Sequence, residues 1–142
     1  MPPPQIVSAL KTAALSNIDV RIIIPNKSDA AIPRWCSFSY IEGLLEAGIR
    51  IYLFEAGFIH SKYIIADEIF STIGTTNLDF RSIETNFEVN AFIYDETFTT
   101  QLTRKFKKNL QDSREIKLTE WRQRRWDYKL RESLAHIISP ML

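Results

Sequence analysis

Apolar residues recur at two different spacings along the chain, and these spacings predict alternating helices and strands. Spacings of three and four residues are typical of a helix with one buried face, whereas alternation or a short apolar run is typical of a strand. Asn17 is predicted to end the first helix, and Pro25 the first strand. The predicted helices cover residues 6–15, 35–48 and 96–113, and the predicted strands cover residues 18–25, 50–56, 58–67, 69–74 and 86–95.

This order of elements predicts an α/β fold. Helices and strands alternate early and strands cluster in the middle, so we expect a mixed β-sheet flanked by helices. A chain of 142 residues is long enough for one domain with its own core. The composition, 45% hydrophobic and 25% charged, is that of an ordinary globular domain rather than a disordered one.

The charge is unevenly distributed, although the net charge is only +1. Residues 101–131 hold 11 of the 18 Lys and Arg but only 4 of the 17 Asp and Glu, which leaves −6 on the rest. Such a split favours an anionic partner near the C-terminal end, or else a solvated helix face.

Several kinds of site and segment are not predicted. Cys36 is the only cysteine, which excludes an intramolecular disulfide, and with only His60 and His136 besides, no zinc-ligand spacing is present. No apolar run approaches the roughly 18 residues that a membrane span needs, so this chain itself is expected to be soluble. Three prolines directly precede the first helical pattern, which suggests a piece of a longer protein.

Polar side chains share one face of the predicted third and fifth strands. Side chains alternate along a strand, so His60 lies beside Lys62, and Asn86, Glu88 and Asn90 share a face in the same way. Burying such groups costs several kcal/mol unless they satisfy one another or a ligand. We therefore expect a bound anion, held by Lys62 and flanked by His60, with Glu88 orienting the imidazole.

The segment Gly74-Thr75-Thr76-Asn77 follows the predicted fourth strand and offers donors for the same anion. Gly74 permits a tight turn, and the hydroxyl and amide groups after it can bond phosphoryl oxygens. A helix that started here would add free N–H groups. Taken separately, a lone histidine in an apolar strand or a turn of this kind is more often structural, so the joint spacing carries the inference.

Taken as one pattern, these residues resemble the HKD signature of the phospholipase D superfamily. The match is His60-x-Lys62-x4-Asp67-x6-Gly74-Thr75-x-Asn77, with Glu88 at the place of the acidic partner of the histidine. The stretches "YIEGLLEAGIRIY" and "GTTNLDFRSIETNFEVNAFIYD" resemble the C-terminal half of bacterial cardiolipin synthases. The resemblance implies one half of a two-lobed fold, because the full-length enzymes carry two HKD motifs, and it implies N-terminal membrane segments in the cytoplasmic-membrane parent.

The resemblance also implies phosphatidyl transfer, in which two phosphatidylglycerol molecules give cardiolipin and glycerol through a phosphohistidine, without a metal or other cofactor. It implies that His60 is the nucleophile or the general acid, with acid–base work favoured, and that Lys62 and Asn77 stabilise the transition state. Glu88 would orient the imidazole, and Asp67, whose parity places it on the other strand face, is interpreted as a turn or salt-bridge residue. Thr75 would be a further donor, and Asn86 and Arg81 would contact phosphate or headgroup, although Arg81 could equally pair with Asp79 or Glu84.

The C-terminal segment, residues 118–142, is interpreted as a basic and aromatic helical tail after a phospholipase D-like domain of residues 1–117. It mixes Trp121, Trp126 and Tyr128 with five Arg or Lys residues and an apolar end. Such a segment suits the surface of an anionic bilayer, or it packs an apolar stripe on the domain.

Two other functions stand beside the favoured one. A single-motif phosphodiesterase or nuclease would complete its site by homodimerisation, and a non-enzymatic module would keep only the fold. The favoured partners are phosphatidylglycerol, an anionic membrane surface, and the N-terminal HKD half of the parent or a second copy; no nucleic acid is expected.

Overall fold

The computed structural model describes residues 2–27 and 31–138, without the side chains of residues 31–33 and 136–138. The helices are α1 (Pro4–Leu15), α2 (Ala31–Ser39), α3 (Ile41–Glu46), α4 (Phe80–Glu84), α5 (Glu96–Gln111), α6 (Leu118–Arg122) and α7 (Trp126–Ile138). The strands are β1 (Arg21–Pro25), β2 (Arg50–Phe54), β3 (Lys62–Ala66), β4 (Phe70–Gly74), β5 (Asn90–Tyr94) and β6 (Ser113–Glu115).

These strands form two sheets of three strands each, which we call the first and second sheets. In the first sheet β2 pairs in parallel with β1 and antiparallel with β6. The second sheet is an antiparallel meander in the order β3-β4-β5. The predicted α/β class with mixed pairing is confirmed, but the expected single sheet is divided into two.

Two helices end in left-handed residues that the sequence marks. Asn17 has a φ of 68°, and the N–H of Ile18 donates to the carbonyl of Ala13 at 3.1 Å. Gly48 has a φ of 90°, and the N–H of Ile49 donates to the carbonyl of Leu44 in the same way. Both are Schellman motifs, which satisfy carbonyls that a helix end leaves without partners. The predicted helix end at Asn17 is confirmed.

The predicted helix of residues 35–48 is two helices, because the chain bends after Ser39. The Ser39 hydroxyl donates to the carbonyl of Cys36 at 2.7 Å, and the N–H of Tyr40 donates at 3.4 Å to the carbonyl three residues back. A serine that bonds its own backbone competes with the helical ladder. A continuous periodic pattern does not reveal such a bend.

The core lies between the first sheet and the helices beside it. Its buried members come from α2, α3, the residue before β2, β2 itself, the residue after β6, and α6; they are Phe38, Ile41, Leu44, Ile49, Ile51, Leu53, Ile116 and Trp121. α1 and β1 add partly buried residues, such as Leu10 and Ile22. Burial of this apolar surface is the main source of stability.

The second sheet has one covered face and one open face. α5 packs on the covered face, where the Tyr63 ring meets Phe106 edge-on at 6.4 Å and Ser71 bonds Thr99 at 3.1 Å. On the open face Ile64 is 56% exposed and Phe92 is 67% exposed. The assumption that the strand carrying Lys62 presents this face to a core is therefore wrong.

The last helix is attached to the rest of the fold through α2. The Cys36 thiol lies 3.3 Å from the carbonyl of Ala135, and Arg124 makes two hydrogen bonds, 2.6 and 2.9 Å long, to the carboxylate of Glu132. Because Glu132 is buried, this paired charge is costly to break. Residues 139–142, which the tail prediction includes, lie outside the described residues.

Two isoleucines in strands provide a test of where the core lies. Ile51→Ala should lower the free energy of unfolding by about 2–5 kcal/mol, because the 1% exposed side chain leaves a cavity. Ile64→Ala removes the same atoms from the open face and should cost only about 0.5 kcal/mol. Urea denaturation of both variants measures the difference, and equal losses would contradict this placement.

Candidate functional site

The register of the second sheet brings the predicted site segments to one end. Lys62 of β3 lies opposite Gly74 of β4, and Gly74 lies opposite Asn90 of β5. His60 precedes Lys62 by two residues, Asn77 follows Gly74 by three, and Glu88 precedes Asn90 by two. Because neighbouring strands run antiparallel, all three flanking segments leave the sheet at the same end of the strands. We call this end of the sheet the site end.

His60 lies just before β3 rather than within it. The Lys62 ammonium donates a 2.8 Å hydrogen bond to the carbonyl of His60, and the imidazole stacks on Phe58 with ring centroids 5.7 Å apart and planes 18° apart. Both side chains are thus held by local contacts at the site end. The prediction that His60 is a strand residue is wrong, although it remains beside Lys62.

The polar side chains of the site are not buried, contrary to expectation. His60, Asn77 and Asn86 are exposed, and Lys62 and Glu88 are partly exposed. The desolvation cost that suggested a ligand therefore does not arise in this structure. The site is an open cluster of donors, on which an anion could settle from solvent.

The residue after Gly74 fastens the turn to the segment before β5. The N–H of Thr75 donates to the carbonyl of Val89 at 3.0 Å, and the N–H of Val89 donates to the Thr75 hydroxyl at 2.9 Å. That hydroxyl lies 3.4 Å from the same carbonyl, to which it can donate its proton. A ligand that used Thr75 as a donor would have to compete with this backbone contact.

The next residue of the turn is fastened by Asn90, which the sequence analysis did not select. The Asn90 amide donates to the Thr76 hydroxyl at 2.6 Å, and its oxygen accepts a 3.4 Å contact from the Thr76 N–H. The sequence feature that could have indicated a role for Asn90 is that it shares a predicted strand face with Asn86 and Glu88.

Gly74 allows the strands to approach at this point. A Cβ built there would lie 2.0 Å from the Asn90 side-chain oxygen and 2.2 Å from the carbonyl of Val89. A Cβ atom essentially never lies within 3.0 Å of such atoms, so a larger residue would push β5 away. The glycine is required by close packing, in addition to the turn that the sequence predicts.

The remaining expected phosphate contacts follow the turn. Asp79 caps α4 by accepting the N–H of Ser82 at 2.8 Å, so a carboxylate occupies this helix start, where free amides were expected. Arg81 lies in α4 with an exposed side chain, and its carbonyl accepts the N–H of Asn86 at 2.8 Å. Both predicted binding residues therefore lie in the segment that joins Asn77 to Glu88.

Glu88 lies at the site end, whereas Asp67 does not. Among the residues that the structure describes, no hydrogen bond joins the carboxylate of Glu88 to His60, so its orienting role stays a prediction. Asp67 and Glu68, with φ of 53° and 58°, form the turn between β3 and β4, closed by the Ile69 N–H on the carbonyl of Ala66 at 3.2 Å. That turn is roughly 15 Å along the strands from Lys62.

Exposed apolar residues surround the site end. Phe87 is fully exposed, and the others retain more than a third of their surface; they are Phe58, Leu78, Phe80, Ile83 and Val89. On the open sheet face Ile64, Phe92 and Tyr94 are exposed as well. Exposed apolar side chains that lie together are typical of surfaces that contact a protein, a lipid or another apolar partner.

Residues 1–110 match the family described as cardiolipin synthase, phospholipase D-like domain. The chain belongs to this family. Its whole length is 46% identical to a cardiolipin synthase of Halalkalibacterium halodurans and 44% identical to the major cardiolipin synthase ClsA of Bacillus subtilis. The chain spans only 28% and 30% of the length of these relatives.

A solved structure shares the fold of this cardiolipin synthase-type domain. The crystal structure of a phospholipase D family member, Nuc from Salmonella typhimurium, is similar with a TM-score of 0.68 over 82% of this chain and 76% of that one. The sequence identity is 22%, so the similarity concerns the fold alone. It confirms the predicted phospholipase D-like architecture.

Two features of the helices are relevant to contact with a membrane. No helix within the described ranges has the length and apolar character needed to cross a bilayer. α7 exposes an apolar stripe of Trp126, Leu130 and Leu134, spaced by four, on the side that does not pack against α2. Arg125, just before α7, is exposed and pairs with Asp127 at 3.1 Å, and the exposed Arg131 of α7 places its guanidinium over the Trp35 ring at 5.8 Å.

A pair of glycine variants tests the close approach at the site end. Gly74→Ala should lower the free energy of unfolding by about 1–3 kcal/mol, because the new methyl group meets backbone that cannot move freely. Gly43→Ala is the matched control, since its methyl group meets only the mobile end of Lys11 and alanine favours the helix by roughly 0.5–1 kcal/mol. Urea denaturation compares them, and a neutral Gly74→Ala would contradict the close packing.

Proposed function

We propose that this chain is one catalytic half of a phospholipase D-type phosphatidyltransferase that condenses two phosphatidylglycerol molecules into cardiolipin and glycerol. The observation that carries the proposal is the meeting of His60, Lys62 and the Gly74–Asn77 turn at one sheet end, in a member of the cardiolipin synthase family. The relatives named cardiolipin synthase, similar over the whole chain, support the same activity.

The reaction needs two imidazoles. One attacks phosphorus and forms a phosphohistidine, while the glycerol alkoxide leaves with a proton from a general acid. The hydroxyl of the second phosphatidylglycerol then attacks phosphorus, gives up its proton to the same group acting as base, and releases the imidazole. His60 performs one of these tasks, and the acid–base task is the one that the family resemblance favours.

Charge stabilisation falls to the donors around His60. The Lys62 ammonium and the Asn77 amide lie at the site end, where each can face the phosphoryl oxygens that gain charge in the five-coordinate transition state. Arg81 and Asn86 extend this set towards the headgroup. Glu88 aligns the imidazole of His60 by accepting its N–H once substrate orders the site, as a carboxylate does in a serine protease triad.

The second imidazole comes from another copy of the same kind of domain, which is the N-terminal HKD half of the parent. The relatives are more than three times as long as this chain, which leaves room for such a half. The open face of the second sheet and the apolar residues around the site end supply a surface for it, because both adjoin His60. Ile64, Phe92 and Tyr94 would be covered in that arrangement.

The membrane surface is the proposed location of the lipid substrate, and α7 is the proposed contact. Its apolar stripe can enter the headgroup region while nearby arginines attract anionic lipid. The packing of α7 on α2 is compatible with this role, since the stripe lies on the other side of the helix.

Substitution of the histidine tests the catalytic proposal. His60→Ala in the full-length parent should lower cardiolipin formation from phosphatidylglycerol by about 10²–10⁴-fold, because one of the two proton-transfer or nucleophilic steps is lost. Asp67→Asn is the informative comparison: it keeps a residue that tolerates the left-handed turn and should retain activity within about 10-fold. The measurement is the formation of cardiolipin and glycerol from phosphatidylglycerol in mixed micelles. Full activity of His60→Ala would refute the proposal.

The membrane contact has its own test. Leu130→Glu and Leu134→Glu together should reduce binding to vesicles of phosphatidylglycerol and phosphatidylcholine by about 10-fold or more, because two apolar groups are replaced by charges that anionic lipid repels. Leu15→Glu is the control, at a leucine on α1 that is 74% exposed against 49% for Leu130 and 53% for Leu134, and it should bind as the unchanged chain does. Co-sedimentation measures both. Equal loss in both proteins would indicate that general charge, not α7, governs binding.

A further inference from the structure

We propose that Asn90 is a positioning residue: its side chain latches the Gly74–Asn77 turn to β5 and so sets the place of Asn77 relative to His60 and Glu88. This inference rests on the proposed function, and it adds a residue outside the HKD signature. Asn90 lies opposite Gly74 in the pairing of β4 with β5.

The latch consists of two contacts that one amide group makes to one residue. The Asn90 nitrogen donates to the Thr76 hydroxyl at 2.6 Å, and its oxygen lies 3.4 Å from the Thr76 N–H. Because the two contacts use both ends of the amide, they fix the orientation of the side chain as well as its reach. Thr76 is the residue before Asn77, so the latch acts directly on the backbone that carries the proposed transition-state donor.

The position of the latch depends on the missing side chain of Gly74. A Cβ there would lie 2.0 Å from the Asn90 oxygen and 2.7 Å from the Asn90 Cα. The amide therefore occupies the space that a side chain on β4 would fill. Only a strand partner without a Cβ leaves Asn90 a path to the turn.

The latch also couples two parts of the site. Thr75 is bonded to Val89 through backbone and hydroxyl, and Thr76 is bonded to Asn90, so two successive residues of the turn are joined to two successive residues of the β5 segment. Glu88 immediately precedes this segment. The turn that carries Asn77 and the segment that carries Glu88 are thus held as one unit.

A positioning role differs from a merely stabilising role in its effects on the free energy of folding and on the catalytic rate. Asn90 and the turn are largely exposed, so water competes for these hydrogen bonds and their net contribution to folding is small. A displacement of a catalytic group by about 1 Å, by contrast, can cost roughly 100-fold in rate. Loss of the latch should therefore lower kcat substantially while the melting temperature changes little.

The activity test uses the full-length parent with phosphatidylglycerol as substrate. Asn90→Ala should lower kcat by about 10- to 100-fold with KM changed less than about 3-fold, because the substrate still binds while the donor is misplaced. Thr76→Val removes one of the two contacts and should cost less. The double variant should be no slower than Asn90→Ala, because both changes act through the same latch. Asn109→Ala, an asparagine on α5 that contacts Tyr63, is the control and should keep the parent's kcat.

A second readout does not depend on catalysis. In the 142-residue chain, amide hydrogen exchange at Thr76 should be about 10-fold faster in Asn90→Ala than in the unchanged chain or in Asn109→Ala. Unchanged exchange, or additive kcat losses in the double variant, would overturn the latch. If exchange accelerates while the unchanged parent makes no cardiolipin, the latch stands and the proposed function fails.

Discussion

The placement of β4 between β3 and β5 is the constraint on which the candidate site depends. Antiparallel pairing fixes which residues lie side by side, and here it aligns Lys62, Gly74 and Asn90 in one row. The proposed site residues His60, Asn77 and Glu88 lie within three residues of that row, whereas Arg81 in α4 and Asp67 in the β3–β4 turn lie farther along the chain. A shift of one residue in the register would send Lys62 to the face that α5 covers.

The site and the core occupy different parts of the molecule. The large buried side chains belong to the first sheet and its helices, while the second sheet is held mainly by α5 on one face. Ser71 and Thr99, both fully buried and bonded to each other, let the helix approach the strand closely without an unsatisfied hydroxyl. This division leaves the site end exposed, so a partner and a substrate can reach it without disturbing the hydrophobic core.

Local signals predicted much of this structure, and long-range pairing accounts for what they missed. Asn17 was recognised as a helix end because asparagine tolerates the left-handed conformation, and the motif residues share one sheet end because their spacing fits a hairpin. β6 was not predicted, and its first residue, Ser113, was assigned to the end of the preceding helix, because these three residues acquire strand structure only by pairing with Tyr52–Phe54 far earlier in the chain. The exposure of Ile64 and Phe92 was missed because alternation distinguishes two faces without saying which of them is covered.

The left-handed pair Asp67 and Glu68 has a consequence for how the domain folds. A tight turn with two positive φ values closes β3 on β4 with little loss of chain entropy, and isolated hairpins form in about 1–10 μs. The first sheet is instead completed only when β6 pairs with β2, which lies about 60 residues earlier in the chain. We expect the hairpin that carries the HKD residues to be structured in the folding transition state before β6 docks; φ-values near zero in the hairpin would contradict this order. The candidate site would then take its shape early, on a hairpin whose sequence carries both the motif residues and the folding signal.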